Sequence, residues 1–194
     1  WCRKCETSLA KHELEYASVK EPSIFVKFHL NGKKDEYFII WTTTPWTLPA
    51  NVAVAVNPKI QYSLIQYDDK KIYIAQDAVE RVMQNEKHQP LSYTIIKTIS
   101  GKELVGKKYW PLFENRGPKA HRVLAADFVT SVDGTGIVHE APAYGEEDYE
   151  LCKKEGVPVV ALVDEHGHYT EGRWQDKNIW DVNKEIAKTL VAED

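Results

Sequence analysis

Three consecutive threonines, Thr42, Thr43 and Thr44, stand at the end of a predicted strand and are followed by two prolines, Pro45 and Pro49. A threonine hydroxyl both donates and accepts hydrogen bonds, so it can hold a polar ligand or a water molecule. Side chains alternate between the faces of a strand, which places Thr42 and Thr44 on one side. Threonine is also favoured in strands for its packing. The run alone is therefore compatible with a purely structural role.

A second segment, Asp133 to Asp148, combines three glycines with a histidine and several acids. Glycines on both sides of Thr135 indicate a tight turn or a close approach of the backbone to a ligand. We expect His139 where a strand ends, and Asp148 in the first turn of the next helix. A carboxylate there can hold an ammonium group through a charge-assisted hydrogen bond. The alternative is that these acids only complement the helix dipole and that His139 is structural.

Other sequence features favour neither a nucleophile nor a complete metal site. The full signatures GxSxG, HExxH, GxxxxGK[ST] and GxGxxG do not occur in the sequence. Asp164 to His168 is rich in metal-ligating residue types, but Gly167 favours the tip of a hairpin. Cys2 and Cys5 form a CxxC pair, which is typical of half of a four-thiolate zinc knuckle. Two reduced thiols on a loop are the other interpretation.

The composition sets limits on the class of protein. The chain has 194 residues, of which 43% are hydrophobic and 28% charged, with a net charge of −4. This size and composition predict one domain with its own core rather than a disordered chain. The mild acidity argues against a general nucleic-acid binder, although not against a protein that holds a nucleic-acid end locally. The absence of long apolar stretches predicts no signal peptide and no contact with a membrane, and the missing initiator Met suggests a piece of a longer protein.

Short alternating segments predict a β-rich protein. Strands are expected over 23–29, 36–43, 52–56, 61–67, 71–75, 93–99, 121–129, 134–138 and 159–163, and helices over 76–85, 146–154 and 181–192. Turns at Asn31-Gly32 and Asp68-Asp69 predict two hairpins. Many short strands with few helices indicate an α+β fold with mostly antiparallel strands. We expect a closed β-barrel with a few peripheral helices, because closure removes exposed edges.

Two long segments carry a resemblance to a known family. Trp41 to Pro58 (WTTTPWTLPANVAVAVNP) and Gly134 to Asp148 (GTGIVHEAPAYGEED) resemble the signature blocks of the isoleucyl-tRNA synthetase editing domain. That domain, connective polypeptide 1 (CP1), is a large insertion in the class I catalytic fold. Trp1 to Ala10 resembles the stretch that precedes the insertion. Related valyl and leucyl editing domains carry Thr-Thr-Arg-Pro where this chain has Thr43 to Trp46, which favours the isoleucyl branch.

The resemblance implies a fold of the valyl, isoleucyl and leucyl editing-domain type and a division of the chain into two parts. Residues 1–20 would be a stalk that carries half of a zinc knuckle and leads to the catalytic body, and residues 21–194 would be the editing domain. The HIGH and KMSKS blocks of the synthetic site are absent from the sequence. This piece is therefore not expected to activate an amino acid.

The implied activity is hydrolytic proofreading. A hydrophobic pocket rejects a substrate that is one methylene smaller by only about 1–3 kcal/mol, and isoleucine against valine in this family is a standard example. A second site would deacylate Val-tRNA(Ile), could also hydrolyse valyl-adenylate, and would exclude isoleucine by size. Since an aminoacyl ester is already activated, placing a water and stabilising the oxyanion can suffice. The alternatives are a module that binds the tRNA acceptor end without hydrolysis and a metal hydrolase that a chelator would inhibit.

The resemblance also assigns roles to residues. Thr42, Thr43 and Thr44 match the threonines that contact the valyl group, the terminal ribose and the water, and Asp148 matches the aspartate that anchors the substrate ammonium. His139 matches the histidine that restricts the size of the substrate side chain. Two further positions of the threonine-rich block are assigned to substrate binding only: Trp46 and Asn51.

Cofactor, partner and location follow from the same resemblance. Editing is expected to need no cofactor, and zinc could bind Cys2 and Cys5 only in the full-length parent, because the second thiol pair is missing here. Glu140 faces away from His139 on strand alternation, so no role is assigned to it. The expected partners are the valine-carrying 3′ end of tRNA(Ile) and the rest of the synthetase, in a cytoplasmic monomer.

Overall fold

The computed structural model describes residues 2, 5, 7–15, 17–18 and 23–192. Its eight described strands are β1 (Ile24–His29), β2 (Glu36–Thr42), β3 (Ala53–Val56), β4 (Gln61–Tyr67), β5 (Lys70–Ala75), β6 (Thr94–Ser100), β7 (Arg122–Ala125) and β8 (Ile137–Glu140). Its α-helices are α1 (Val79–Val82), α2 (Glu146–Glu155) and α3 (Ile179–Ala192). Short 3-10 helices cover Lys11–Glu13, Pro45–Ala50, Gln76–Ala78 and Gly101–Glu103.

The larger sheet has the strand order β1-β2-β5-β4-β6. The two predicted hairpins are confirmed, since β1 pairs antiparallel with β2 and β4 pairs antiparallel with β5. The hairpins meet through a parallel pair, β2 with β5. Alternate residues of β1 and β2 are buried, among them Val26, Phe28, Phe38 and Ile40, and they form the centre of the main core.

The smaller sheet has the order β7-β3-β8, with β3 parallel to β7 and antiparallel to β8. All four residues of β3 are buried, as expected for the central strand of a sheet with both faces covered. One face joins the main core through Val54 and Val56, and the other packs with Leu151 and Cys152 of α2 in a second cluster. The smaller sheet therefore holds α2 beside β8.

The β-rich α+β class is confirmed, but the predicted barrel is wrong. The described strands form two mixed sheets, each with one parallel pair, and neither is closed. One edge of the larger sheet lies next to a helix instead. α3 lies beside the edge strand β1, where Leu190 and Val191 line a groove together with Ile24 and Phe25. Alternation specifies which face of a strand is buried, but it does not specify the partner strand, and closure was inferred only because it removes exposed edges.

Several predicted elements differ in kind or extent from those observed. The strand expected over 121–129 is limited to Arg122–Ala125, and the strand expected over 134–138 lies at Ile137–Glu140. The helix expected over 76–85 is a 3-10 turn followed by the four-residue α1. The strand expected over 159–163 contributes only an isolated bridge between Val163 and Tyr169. Of the predicted stalk, residues 1, 3, 4, 6, 16, 19 and 20 lie outside the described residues, so the division at residue 20 stays a prediction. No helix in the described part of the chain is long and apolar enough to span a membrane.

Candidate active site

The carboxyl ends of β2 and β8 meet the first turn of α2 around a pocket of about 280 Å³. Five residues that the sequence singled out, namely Thr42, Thr43, Thr44, His139 and Asp148, lie together in its lining. They come from two segments that are about 90 positions apart in the chain, and the fold brings them to one place. The remaining lining residues are Trp41, Thr47, Val138, Ala141, Tyr144 and Gly145.

The threonines form one wall of the pocket. The backbone N–H of Thr44 donates to Oγ1 of Thr42 at 3.0 Å, and the two hydroxyl oxygens lie 3.3 Å apart. Thr42 is therefore buried at the base of the turn, whereas Thr43 and Thr44 are exposed. The chain then enters the 3-10 helix Pro45–Ala50, with a proline at its first position. The threonine wall is thus held by a hydrogen bond and by backbone that proline makes rigid.

His139 forms another part of the pocket wall, and both of its ring nitrogens contact protein groups. Nε2 lies 2.7 Å from Oγ1 of Thr47, and Nδ1 lies 3.2 Å from Nδ2 of Asn51. Burial lowers the pKa of His139 to about 4, so the ring is neutral at neutral pH. With both nitrogens occupied, His139 presents ring surface to the pocket rather than a titrating proton.

Asp148 supplies the carboxylate of the pocket. Its Oδ2 accepts from the backbone N–H of Ala141 at 2.8 Å, which fixes the side chain in the first turn of α2. Burial raises the pKa of Asp148, while the hydrogen bond from Ala141 acts in the opposite direction. A half-buried carboxylate of this kind gains most from a cationic partner such as an ammonium group.

Gly145 makes room for that carboxylate. A Cβ at this position would lie 2.7 Å from Oδ1 and 2.9 Å from Cγ of Asp148. Its backbone angles, φ −135° and ψ 136°, are accessible to any residue, so the requirement for glycine is one of space alone.

Replacing Gly145 with alanine is therefore expected to displace the carboxylate of Asp148 and break its bond to Ala141, at a cost of about 1–3 kcal/mol in stability. Amide hydrogen exchange measures this directly, and the Ala141 N–H should exchange at least about tenfold faster. Glu146→Ala, one residue further along, is the control and should leave Ala141 protected. Unchanged protection in Gly145→Ala would show that the carboxylate does not need the space.

Sequence reasoning missed Thr47, whose hydroxyl also donates to the carbonyl of Thr44 at 3.0 Å. A signal existed: in a 3-10 helix, residues three apart lie on the same side, so Thr47 follows Thr44. Tyr144 was also missed, and nothing in the sequence indicated that its ring would reach the pocket. Its hydroxyl accepts from the backbone N–H of Leu162 at 2.8 Å.

Trp46 and Asn51, assigned to binding from the sequence, lie behind the lining rather than in it. The Trp46 ring packs edge-on against Tyr144 with the centroids 4.8 Å apart, and its backbone N–H donates to Asn183. Asn51 is only 4% exposed and contacts His139. Their direct contact with a substrate stays a prediction.

Glu140 faces away from the pocket, as strand alternation predicts. It is 0% exposed, and neither carboxylate oxygen has a hydrogen-bond partner among the described residues. Burial, together with the negative charges of Asp148 and Glu147, raises the pKa of Glu140 to about 9. The side chain is therefore a neutral carboxylic acid at neutral pH.

The two other candidate metal-binding segments differ from each other. Oδ1 of Asp164 accepts from the backbone N–H groups of His166 and His168, which confirms a turn there. Cys2 raises the pKa of Cys5 through a hydrogen bond and through its charge, so the two thiols lie close together. No group of three or more His, Cys, Asp or Glu in the described part of the chain could hold a metal ion. Zinc binding by the CxxC pair stays a prediction.

The sequence of the chain is similar to those of known proteins. No protein-family model matches the chain. An isoleucine–tRNA ligase of Methanocaldococcus jannaschii is 45% identical to it over 98% of the chain and 20% of the relative. One from Thermoplasma volcanium is 42% identical over 96% of the chain and 18% of the relative. The chain thus spans about a fifth of the length of these curated relatives.

Solved structures share the fold at low sequence identity. The crystal structure of GlLeuRS-CP1 superposes with a TM-score of 0.68 at 15% identity, covering 89% of this chain and 96% of that one. The editing domain of the Plasmodium falciparum (P.falciparum) cytosolic leucyl-tRNA synthetase gives 0.67 at 12% identity, over 84% and 78%. The sequence identity shows that the chain belongs to the isoleucyl-tRNA synthetase family, and its fold is that of CP1 editing domains.

Proposed function

We propose that this domain hydrolyses the ester of Val-tRNA(Ile) and spares the isoleucyl ester because isoleucine is too large for the pocket. The observation that carries the proposal is the single pocket in which the Asp148 carboxylate, three threonine hydroxyls and a fixed histidine ring face one another. Its volume of about 280 Å³ suits a small amino acid and part of a ribose. Valyl-adenylate carries the same aminoacyl group and is a second candidate substrate.

In this mechanism, Asp148 binds the ammonium group of the valyl moiety. The threonine wall binds the terminal ribose and a water molecule, which attacks the ester carbonyl. The carbon–oxygen bond to the ribose then breaks, the ribose oxygen takes a proton, and valine and free tRNA leave. Because both nitrogens of His139 are occupied by Thr47 and Asn51, the histidine acts as a wall and not as the base. Positioning and electrostatics supply the rate enhancement.

Selection by size requires a pocket wall that keeps its position when a larger side chain enters. Adding one methylene to a well-packed site costs about 1–3 kcal/mol when the surroundings cannot move. The His139 ring is held at both nitrogens, so it meets this requirement. Thr47 and Asn51 provide the rigidity although only Thr47 lines the pocket.

Removal of the wall should relax selectivity. In His139→Ala, deacylation of Ile-tRNA(Ile) is expected to rise at least about tenfold, which corresponds to about 1.4 kcal/mol of lost discrimination. Initial rates on Ile-tRNA(Ile) measure the effect, and His168→Ala, in the turn after Asp164, is the control. If His139→Ala continues to spare isoleucine as the parent chain does, the histidine is not the size-selecting wall.

The experiment that tests the activity itself follows Val-tRNA(Ile) with and without EDTA. The proposal predicts loss of the ester well above the spontaneous rate, unchanged by the chelator. Inhibition by EDTA would point to a metal hydrolase instead. Binding of the acceptor end without any hydrolysis would favour a non-catalytic module.

Several assignments concern the longer protein. We propose that the rest of the synthetase supplies most of the contacts that bind tRNA(Ile), and that the full-length protein is a cytoplasmic monomer. A second thiol pair outside this chain would complete a zinc site with Cys2 and Cys5. Editing itself would need no cofactor.

A further inference from the structure

Tyr109 lies outside the pocket and is 2% exposed. Its hydroxyl donates to Oδ1 of Asn51 at 2.6 Å. The ring is held edge-on by Phe28 and His121, with centroids 5.1 and 5.6 Å away, and the backbone N–H donates to the carbonyl of His121. The hydroxyl is therefore presented to Asn51 by a ring that packing keeps in place.

That hydroxyl and the carbonyl of Ala53 together determine which way the amide of Asn51 points. With Oδ1 facing Tyr109, Nδ2 faces the carbonyl of Ala53 at 2.8 Å and Nδ1 of His139 at 3.2 Å. An amide nitrogen carries two hydrogens, so it can donate to both acceptors. The rotated amide would instead place Oδ1 against the Ala53 carbonyl, and two acceptors would face each other.

The orientation of Asn51 in turn fixes the proton on His139. Because Nδ1 accepts from Asn51, the hydrogen of the neutral ring is on Nε2, which donates to Oγ1 of Thr47 at 2.7 Å. The hydroxyl of Thr47 is then free to donate to the carbonyl of Thr44 at 3.0 Å. The hydrogen bonds run in one direction from Tyr109 to the backbone of the threonine wall, and every donor in the series has an acceptor.

We propose that Tyr109 is a positioning residue for the editing pocket: through Asn51 it sets the tautomer and ring orientation of His139, and thereby the size limit of the pocket. This inference rests on the proposed function for its effect on selectivity. Its structural part, the control of the His139 tautomer by a hydroxyl outside the pocket, does not depend on that function.

The test is Tyr109→Phe, which keeps the ring against Phe28 and His121 and removes only the hydroxyl. Asn51 then has a buried oxygen without a donor, a loss that is large enough to change the populations of the two amide orientations. Two readouts are needed. One is the ratio of kcat/KM for Val-tRNA(Ile) to that for Ile-tRNA(Ile), and the other is the pair of ¹⁵N chemical shifts of the His139 ring, which report the tautomer.

The variant is expected to lower the valine-to-isoleucine ratio about tenfold, with KM for the valyl ester little changed because Asp148 still anchors the ammonium. The His139 ¹⁵N shifts should move from a pure Nε2–H form to a mixture. Tyr62→Phe is the matched control, since its buried hydroxyl donates to the Gly136 carbonyl at 2.7 Å, outside this series. It should change neither readout.

A normal ratio together with an unchanged tautomer in Tyr109→Phe would overturn the proposal and leave Tyr109 with a packing role. If the parent chain hydrolyses neither ester, the proposed function fails, yet the ¹⁵N shifts still decide whether Tyr109 controls His139. The two failures are therefore distinguishable.

Discussion

Asp148→Asn is expected to lower kcat/KM for Val-tRNA(Ile) by about 100- to 1000-fold, which corresponds to about 3–4 kcal/mol, because the ammonium group loses its charged partner in the pocket. The substitution keeps the shape of the side chain and leaves an oxygen to accept from the N–H of Ala141. Only the negative charge that faces the ammonium group is lost. Initial deacylation rates over a range of substrate concentrations measure the effect.

The fold should survive this change. Burial raises the pKa of Asp148, so the charged form is already disfavoured in the native protein and a neutral amide should not lower stability. Glu147→Gln is the control, because it removes the neighbouring exposed charge on the same turn of α2 and Glu147 does not line the pocket. A folded Asp148→Asn protein with the parent rate would show that Asp148 does not anchor the substrate.

Glu140→Met is expected to raise the free energy of unfolding by about 3–4 kcal/mol at pH 7. Glu140 has a pKa of about 9 in the folded chain, against an ordinary value of 4.5. Between these values the unfolded chain releases a proton that the native chain keeps. Stability therefore falls as the pH rises, by about 1.4 kcal/mol per unit. Methionine has a similar shape and no proton to release, so the loss disappears.

His139 makes stability depend on pH in the opposite direction. Its pKa is lowered from 6.5 to about 4, so between these pH values the native ring stays unprotonated while the unfolded chain binds a proton. Stability therefore falls as the pH drops through this range. Together the two groups predict a plateau of stability between about pH 4.5 and 6.5 for the parent chain, where their slopes cancel.

Urea unfolding from pH 4 to 9 tests this prediction. In Glu140→Met the decline above pH 6.5 should largely vanish, and a decline should appear as the pH falls from 6.5 to 4, because the slope from His139 is no longer cancelled. Glu150→Met, at an exposed position of α2, serves as the control and should follow the parent curve. If Glu140→Met is no more stable than the parent at pH 7, the side chain has a stabilising partner in solution that offsets its burial.

The core of the candidate site could be predicted from the sequence because its residues stand at the ends of elements. Thr42 ends β2, His139 lies in β8, and Asp148 lies in the first turn of α2. Local alternation and helix-start signals are enough to place each of these. The resemblance to editing domains then indicated that the two segments meet.

What the sequence left undetermined depends on contacts between distant segments. The parallel pairing of β2 with β5 and of β3 with β7 is set by packing of the two sheets, which alternation within a strand does not encode. Tyr109 is 58 positions from Asn51 and gives no local sign that its hydroxyl serves the pocket. The need for glycine at position 145 is equally invisible, since it arises from the position of the Asp148 carboxylate.

The selectivity of the pocket is best tested by comparing the initial rates at which this chain deacylates Val-tRNA(Ile) and Ile-tRNA(Ile) at equal concentration. We expect rapid loss of the valyl ester, while the isoleucyl ester decays near its spontaneous rate. Equal rates on both esters would contradict selection by size in the pocket around Thr42, His139 and Asp148. No acceleration of either would contradict a hydrolytic site that is complete within these residues.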